Sequence, residues 1–100
     1  MKTNNGSWFV YVVQCSDNTL YTGVTTDVNR RVHEHNTSSR GAKYTKSRRP
    51  VKLTYSINFE NRSLAQRAES RFKKLTRRQK EEVVKGIKTF PHGFHIYSQE

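Results

Sequence analysis

The stretch WFVYVVQCSDNTLYTGVTTD, residues 8–27, decides the fold. Trp8 to Val13 is a continuous apolar and aromatic run, the pattern of a strand covered on both faces. Ser16-Asp17-Asn18 is turn chemistry, and the β-branched and aromatic residues from Thr19 to Thr26 make the returning strand of a hairpin. With the turn centred on Asp17, Gln14 pairs with Leu20, Val13 with Tyr21, and Tyr11 with Gly23. Tyr11 and Tyr21 are then diagonal neighbours on one face, roughly 7–8 Å apart, close enough to address one phosphate. Gly23 leaves no side chain beside the Tyr11 phenol. A one-residue shift of the turn would send the two tyrosines to opposite faces. Core packing is the other common use of strand tyrosines, and the spacing alone leaves both uses open.

Outward from the hairpin, Asp27 is a good N-cap for a helix running to about Asn36. Residues 37–50 read as a basic, Ser- and Gly-containing loop closed by Pro50. Val51 to Phe59 reads as a third strand. Ser63-Leu64-Ala65-Gln66 has the form of a capping box and opens a helix to about Leu75. Thr76-Arg77-Arg78-Gln79 repeats the form and opens another to about Lys85, with Gly86 as its stop. The order β-β-α-β-α-α predicts an α+β domain, a small three-stranded antiparallel sheet flanked by helices. The domain spans residues 8–86, between a flexible N-terminus (1–7) and a tail (87–100) that the pattern does not place.

At 100 residues there is room for one domain, and a hydrophobic fraction of 32% implies a small core. Lys and Arg number 19 against 8 Asp and Glu, a net charge of +11 that calls for a polyanionic partner, with nucleic acid the commonest. No helix pairs an apolar face with a purely basic one, so a membrane surface is not expected. The single cysteine, Cys15, excludes an internal disulfide and suits the cytoplasm, and no zinc-binding spacing surrounds it. His92 and His95 have a metal-like spacing, but two histidines make a weak site and read as bystanders.

Three helix and strand elements each turn an unexpected polar group inward. Val28, Arg31, Val32 and His35 follow i, i+3, i+4, i+7 and share one helix face. An arginine on an apolar face needs an anion or a route to water, and a phosphate is one such anion. On the later helix Ala65, Ala68, Glu69 and Phe72 share a face, where a carboxylate is costly unless paired or metal-bound. An ion pair between Glu69 and Arg31 is the structural rival to a catalytic role for either.

Residues 8–36 match, in order and spacing, the core motif of the GIY-YIG nuclease superfamily, and the chain resembles its small standalone bacterial members over residues 8–86. Gly41-Ala42-Lys43-Tyr44-Thr45, Arg48-Arg49-Pro50 and Lys73-Lys74-Leu75-Thr76-Arg77 carry the resemblance to the standalone group. The resemblance implies that Tyr11 and Tyr21 are the motif tyrosines, Arg31 the catalytic arginine and Glu69 the metal-binding glutamate. His35 falls where members carry His or Tyr. The chain departs from the pattern with Phe9-Val10 before Tyr11 where the family has Gly-Ile, and with Thr22 where Ile is usual. No Asn follows Asn61, so the phosphate-binding role that some members give to one is unassigned.

With one carboxylate the expected reaction is one-metal hydrolysis, supported by a single Mg²⁺ or Mn²⁺. Tyr11 is expected to activate water with His35 accepting the phenolic proton, and Tyr21 to orient water or phosphate, although either tyrosine could be the base. Arg40, Lys43, Lys46, Arg48 and Arg49 surround Tyr44, which offers a ring on which a base could stack, and Arg71 and Lys74 lie on a second basic surface with Arg67, Arg77 and Arg78. DNA, single-stranded or branched and read with little sequence preference, is the expected substrate. Two alternatives are a non-catalytic nucleic-acid-binding module on the same fold and a basic adaptor for an acidic protein.

Overall fold

Strand β1 (Trp8–Gln14) lies between β2 (Leu20–Thr25) and β3 (Lys52–Phe59), antiparallel to both, in the order β2-β1-β3. The computed structural model describes residues 7–90. The expectations for residues 1–6 and 91–100, His92 and His95 among them, lie outside the described residues. The central place of β1 accounts for its unbroken apolar run: Val10 and Val12 are buried on one face, Tyr11 and Val13 on the other. A bulge moves the β3 partner from Tyr55 opposite Val12 to Leu53 opposite Val13. The hydroxyl of Thr54, the residue between them, donates to the Val12 carbonyl at 3.0 Å.

Four helices complete the described residues: α1 (Val28–Thr37), α2 (Lys43–Lys46), α3 (Arg62–Lys73) and α4 (Arg77–Val84). The architecture is the expected α+β one, with the order β-β-α-α-β-α-α. The single turn α2 lies in the segment read as loop. Its N-cap, Ala42, makes no side-chain cap bond, and four residues are too few to display a period. Helix α3 starts earlier than Ser63 predicts. Asn61 is its N-cap, and the Asn61 side chain accepts from the Leu64 amide at 3.0 Å. An asparagine caps as well as a serine, so the turn begins at the first suitable residue. Asp27 caps α1 as expected, and Thr76 with Gln79 forms the expected reciprocal capping box of α4.

One face of the sheet packs Val10, Val12 and Phe59 against Ala65, Ala68 and Phe72 of α3 and Val83 of α4. Phe90 closes this layer, stacked at 5.2 Å on Phe72 and 5.7 Å on Tyr55, so the core extends past α4. The other face carries Tyr11, Val13, Cys15 and Val51, with Tyr21, Val28 and Val32 packed on them. Among the described residues, no helix is long and apolar enough to cross a membrane.

Tyr11 crosses directly over Gly23. A Cβ there would stand 2.6 Å from the Tyr11 hydroxyl and 2.8 Å from Cζ. Tyr11 is 1% exposed, so the ring has nowhere to retreat. Gly23→Ala should therefore destabilise the protein by about 1–3 kcal/mol, the range for an overpacked core. Chemical denaturation of the variant beside the parent chain measures it.

Candidate functional site

The hairpin register is the one expected: Gln14 opposite Leu20, Val13 opposite Tyr21, Tyr11 opposite Gly23. The turn holds it there. The Asp17 carboxylate accepts from the amide and hydroxyl of Thr19, at 3.1 and 2.6 Å. Two arginines from distant sequence fasten the same turn: Arg48 pairs with Asp17 at 3.0 Å, and Arg77 donates to the Asn18 carbonyl at 2.6 Å. Tyr11 and Tyr21 consequently lie on one face, where α1 lays His35 against both. The Tyr11 hydroxyl is 2.6 Å from His35 Nε2, and the Tyr21 ring meets the imidazole edge-on at 5.2 Å.

Burial, and after it the neighbouring Tyr21, pushes the Tyr11 phenol up to about 12, while the Arg31 guanidinium beside it pulls the other way. Burial, with Arg31 second, pushes the His35 imidazole down to about 4, so it is neutral at physiological pH. The charge of Glu69 also reaches the Tyr11 phenol and opposes its ionisation. Tyr11, Tyr21, Arg31 and His35 thus gather on one face, whereas Glu69 comes from α3, which packs on the opposite face of the sheet, and its charge is the smallest of the influences on the phenol.

The rival ion pair does not form. Arg31 donates to Glu34 at 2.9 Å and to the Arg40 carbonyl at 2.8 Å, while Glu69 pairs with Lys73 at 3.2 Å. Hydrogen bonding to Arg31 holds the Glu34 carboxyl below the usual range. Each charge of the site therefore has a local partner from its own helix. Among the described residues no three His, Cys, Asp or Glu side chains form a metal cluster. Glu69, half-buried and tied among the described residues to an exposed lysine, fits a divalent cation that keeps most of its waters.

The basic residues divide into two kinds. Arg49 turns inward: Nε donates to the His35 carbonyl at 2.6 Å and Nη2 to the Ser38 carbonyl at 2.6 Å and the Glu34 carbonyl at 3.5 Å. It is a cationic cap on the C-terminal carbonyls of α1. Gly41 passes so close that a Cβ would lie 2.8 Å from the Glu34 carbonyl and 3.0 Å from His35 Cα. Arg48 covers the Tyr44 ring at 3.8 Å while Tyr21 stacks on that ring at 5.9 Å, so a base could reach Tyr44 only by displacing one of them. Arg77 and Arg78 pair with Glu81 and Glu82. Arg40, Lys43, Lys46, Arg67, Arg71 and Lys74, by contrast, are exposed and hold no side-chain hydrogen bond or ion pair among the described residues.

Sequence reasoning missed three supports of the site. Thr45 is fully buried, with its hydroxyl 2.9 Å from His35 Nδ1. The Ala42 amide donates to the same nitrogen at 3.3 Å. Asn36 brackets Val51, donating to its carbonyl at 2.9 Å and accepting its amide at 2.7 Å. A threonine among lysines and a backbone amide leave no mark in a sequence, and Arg49 is indistinguishable there from Arg48.

The family model of the GIY-YIG catalytic domain matches residues 7–82. A UPF0213 protein of Desulfotalea psychrophila is 50% identical over 84 residues, covering 84% of this chain and 76% of its own. The UPF0213 protein YazA of Bacillus subtilis is 52% identical over 81 residues, covering 81% and 79%. Among solved structures, a UPF0213 protein of Bacillus halodurans is similar with a TM-score of 0.53 and 37% identity, covering 90% of this chain and 96% of its own. A protein of E. faecalis, also solved by NMR in solution, gives 0.57 and 49%, covering 83% and 88%.

Two outcomes follow from the geometry around His35. Arg49→Ala leaves three helix-end carbonyls without their cation and should cost about 2–3 kcal/mol in chemical denaturation, whereas Lys43→Ala or Lys46→Ala should stay within about 0.5 kcal/mol. His35 resists protonation, its value lying near 4 instead of 6.5. The stability this contributes is complete above the unfolded value of 6.5 and is lost as pH falls through the folded value near 4. Thermal unfolding between those limits should lose up to about 1.4 kcal/mol per pH unit, with a flatter profile in His35→Gln.

Proposed function

The chain belongs to the GIY-YIG family, a nuclease-type family, and from that premise we propose that it is a metal-dependent endonuclease hydrolysing phosphodiester bonds of DNA. The observation that carries this reading is the gathering of Tyr21, Arg31 and His35 around the single phenol of Tyr11. Tyr11 acts as the base that takes a proton from the attacking water. With a value near 12 it is a poor base in isolation, so positive charge must favour its ionised form. Arg31 lies beside the phenol and supplies that charge from the protein. Glu69 would hold the Mg²⁺ or Mn²⁺, which when bound supplies positive charge to the phosphate and the leaving oxygen. Tyr21 orients the water or the phosphate from the same face of the hairpin.

The cations that are unpaired among the described residues support the substrate class. Arg40, Lys43 and Lys46 form one group, and Arg67, Arg71 and Lys74 form another along α3. Such side chains bind backbone phosphates, which carry no base identity, so cleavage has little sequence preference. A domain of this size engages a single strand or a branch more completely than it can enclose a duplex. A non-catalytic DNA-binding module is the second reading, favoured by the near-complete burial of Tyr11.

Labelled single-stranded, branched and duplex DNA, incubated with Mg²⁺, Mn²⁺ or EDTA, tests the proposal. Metal-dependent cleavage should favour single-stranded or branched DNA and disappear in Glu69→Ala, Arg31→Ala and Tyr11→Phe, with binding largely kept. The rate should rise between about pH 7 and 9 as the ionised fraction of Tyr11 grows. Binding should weaken with salt, at a log–log slope of about −4 if six cations meet single-stranded phosphates. Binding without cleavage under every metal would return the tyrosines to the core and leave the second reading.

A further inference from the structure

The two tyrosines of the hairpin are held in different ways. Tyr11 is buried, and its hydroxyl meets His35 Nε2 at 2.6 Å. Tyr21 stands half-buried on β2, an edge strand of the sheet, and its hydroxyl makes no hydrogen bond among the described residues. Its direction is therefore set by what packs against it. The core residues of this face lie beneath the ring, and the His35 imidazole meets it edge-on at 5.2 Å. Tyr44, itself 38% exposed, stacks on it at 5.9 Å with 23° between the ring planes.

Tyr44 is not held there by its own helix. The single turn α2 has no side-chain cap bond at its N-terminus. Arg48 supplies the support. Its guanidinium carbon lies 3.8 Å over the centre of the Tyr44 ring, Nη1 donates to the Tyr44 carbonyl at 2.8 Å, and Nε pairs with Asp17 at 3.0 Å. The Arg48 carbonyl also accepts the Ser16 amide at 2.9 Å. Ser16 and Asp17 belong to the turn of the same hairpin that carries Tyr21. The contacts thus close a circuit from the turn through Arg48 and Tyr44 to Tyr21, and back along the chain. We propose that Tyr44, clamped by Arg48, is a positioning residue that fixes the side chain of Tyr21.

This role differs from the DNA contact expected of Tyr44 and Arg48 from the sequence. A ring that stacks a base needs an open face, and an arginine that grips a phosphate needs a free fork. Here Arg48 and Tyr21 both cover the ring, and the fork is spent on a carboxylate and a carbonyl. The hydroxyl left without a partner is that of Tyr21, which suits it to meet a water or a phosphate oxygen. A half-buried tyrosine without its neighbour would move between χ1 rotamers and carry that hydroxyl away. The consequence for cleavage rests on reading Tyr21 as the group that orients water or phosphate, but the positioning itself does not.

Three-bond couplings of the Tyr21 Cγ to its own backbone nitrogen and carbonyl carbon, measured on the labelled full chain, test the proposal. They report whether χ1 keeps one rotamer or averages over several. One rotamer is expected in the parent chain and in Tyr44→Phe, which keeps the ring. Averaging is expected in Tyr44→Leu, which keeps apolar bulk without a ring face. Arg48→Lys, which keeps the charge and loses the planar fork, should also average. Averaged couplings in the parent chain, or one unchanged rotamer in folded Tyr44→Leu, would overturn the proposal, and one unchanged rotamer in Arg48→Lys would overturn the clamp. Cleavage gives a second readout. In Tyr44→Leu kcat should fall about 10- to 100-fold with KM for DNA unchanged, and Tyr44→Phe should restore it. A raised KM with kcat unchanged would make Tyr44 a DNA contact and overturn the positioning role. An inactive parent chain with the expected couplings would count against the nuclease and leave the positioning standing.

Discussion

The pairing register between β1 and β2 is the constraint on which everything else depends. Tyr11 and Tyr21 share a face only because Tyr11 opposes Gly23 and Val13 opposes Tyr21. A slip by one residue would exchange the faces and send the valines of β1 to the wrong layers as well. The fold guards against this from three directions. The Asp17 turn sets the loop, Arg48 and Arg77 tie that loop to the rest of the chain, and two hydrophobic layers claim alternate residues of β1. The same alternation that builds the core therefore aims the phenols.

Helix α1 is the second organiser, and its last turn is held unusually firmly for a basic segment of the surface. Arg49 and the close passage of Gly41 secure the backbone of His35. Thr45 and the Ala42 amide secure its ring. The single turn α2 thus has a purpose in the fold despite its length: it delivers the two groups that face Nδ1. The positive charge of the region is consequently divided between structure and surface. Arg48 and Arg49 are engaged internally, while Arg40, Lys43 and Lys46 remain available to a polyanion.

Much of this was legible in the sequence because it rests on short-range periodicity. The hairpin, its register, the Asp17 turn and the caps at Asp27 and Thr76 all follow from local residue chemistry. So did the inward faces of α1 and α3, with Ala65, Ala68 and Phe72 buried beside Glu69. What escaped was either too short or too far away. Helix α2 spans one turn, and Asn61 competed with Ser63 for a cap that both residue types can provide. The inward path of Arg49 depends on carbonyls 11 to 15 residues distant, and no period along the chain encodes such a contact. Pairing between Glu69 and Arg31 was the structural rival to a catalytic role, and Lys73 and Glu34, one turn away on their own helices, take its place.

The proposed function requires Glu69, on the helix across the sheet from the tyrosine pair, to anchor a divalent cation. Paramagnetic broadening of ¹H–¹⁵N amide signals by substoichiometric Mn²⁺ tests that claim without reliance on turnover. Selective broadening should centre on Glu69 and on the hairpin around Tyr11 and Gly23, and Glu69→Gln should abolish it. Broadening centred on Glu81 and Glu82, or unchanged by that substitution, would contradict it.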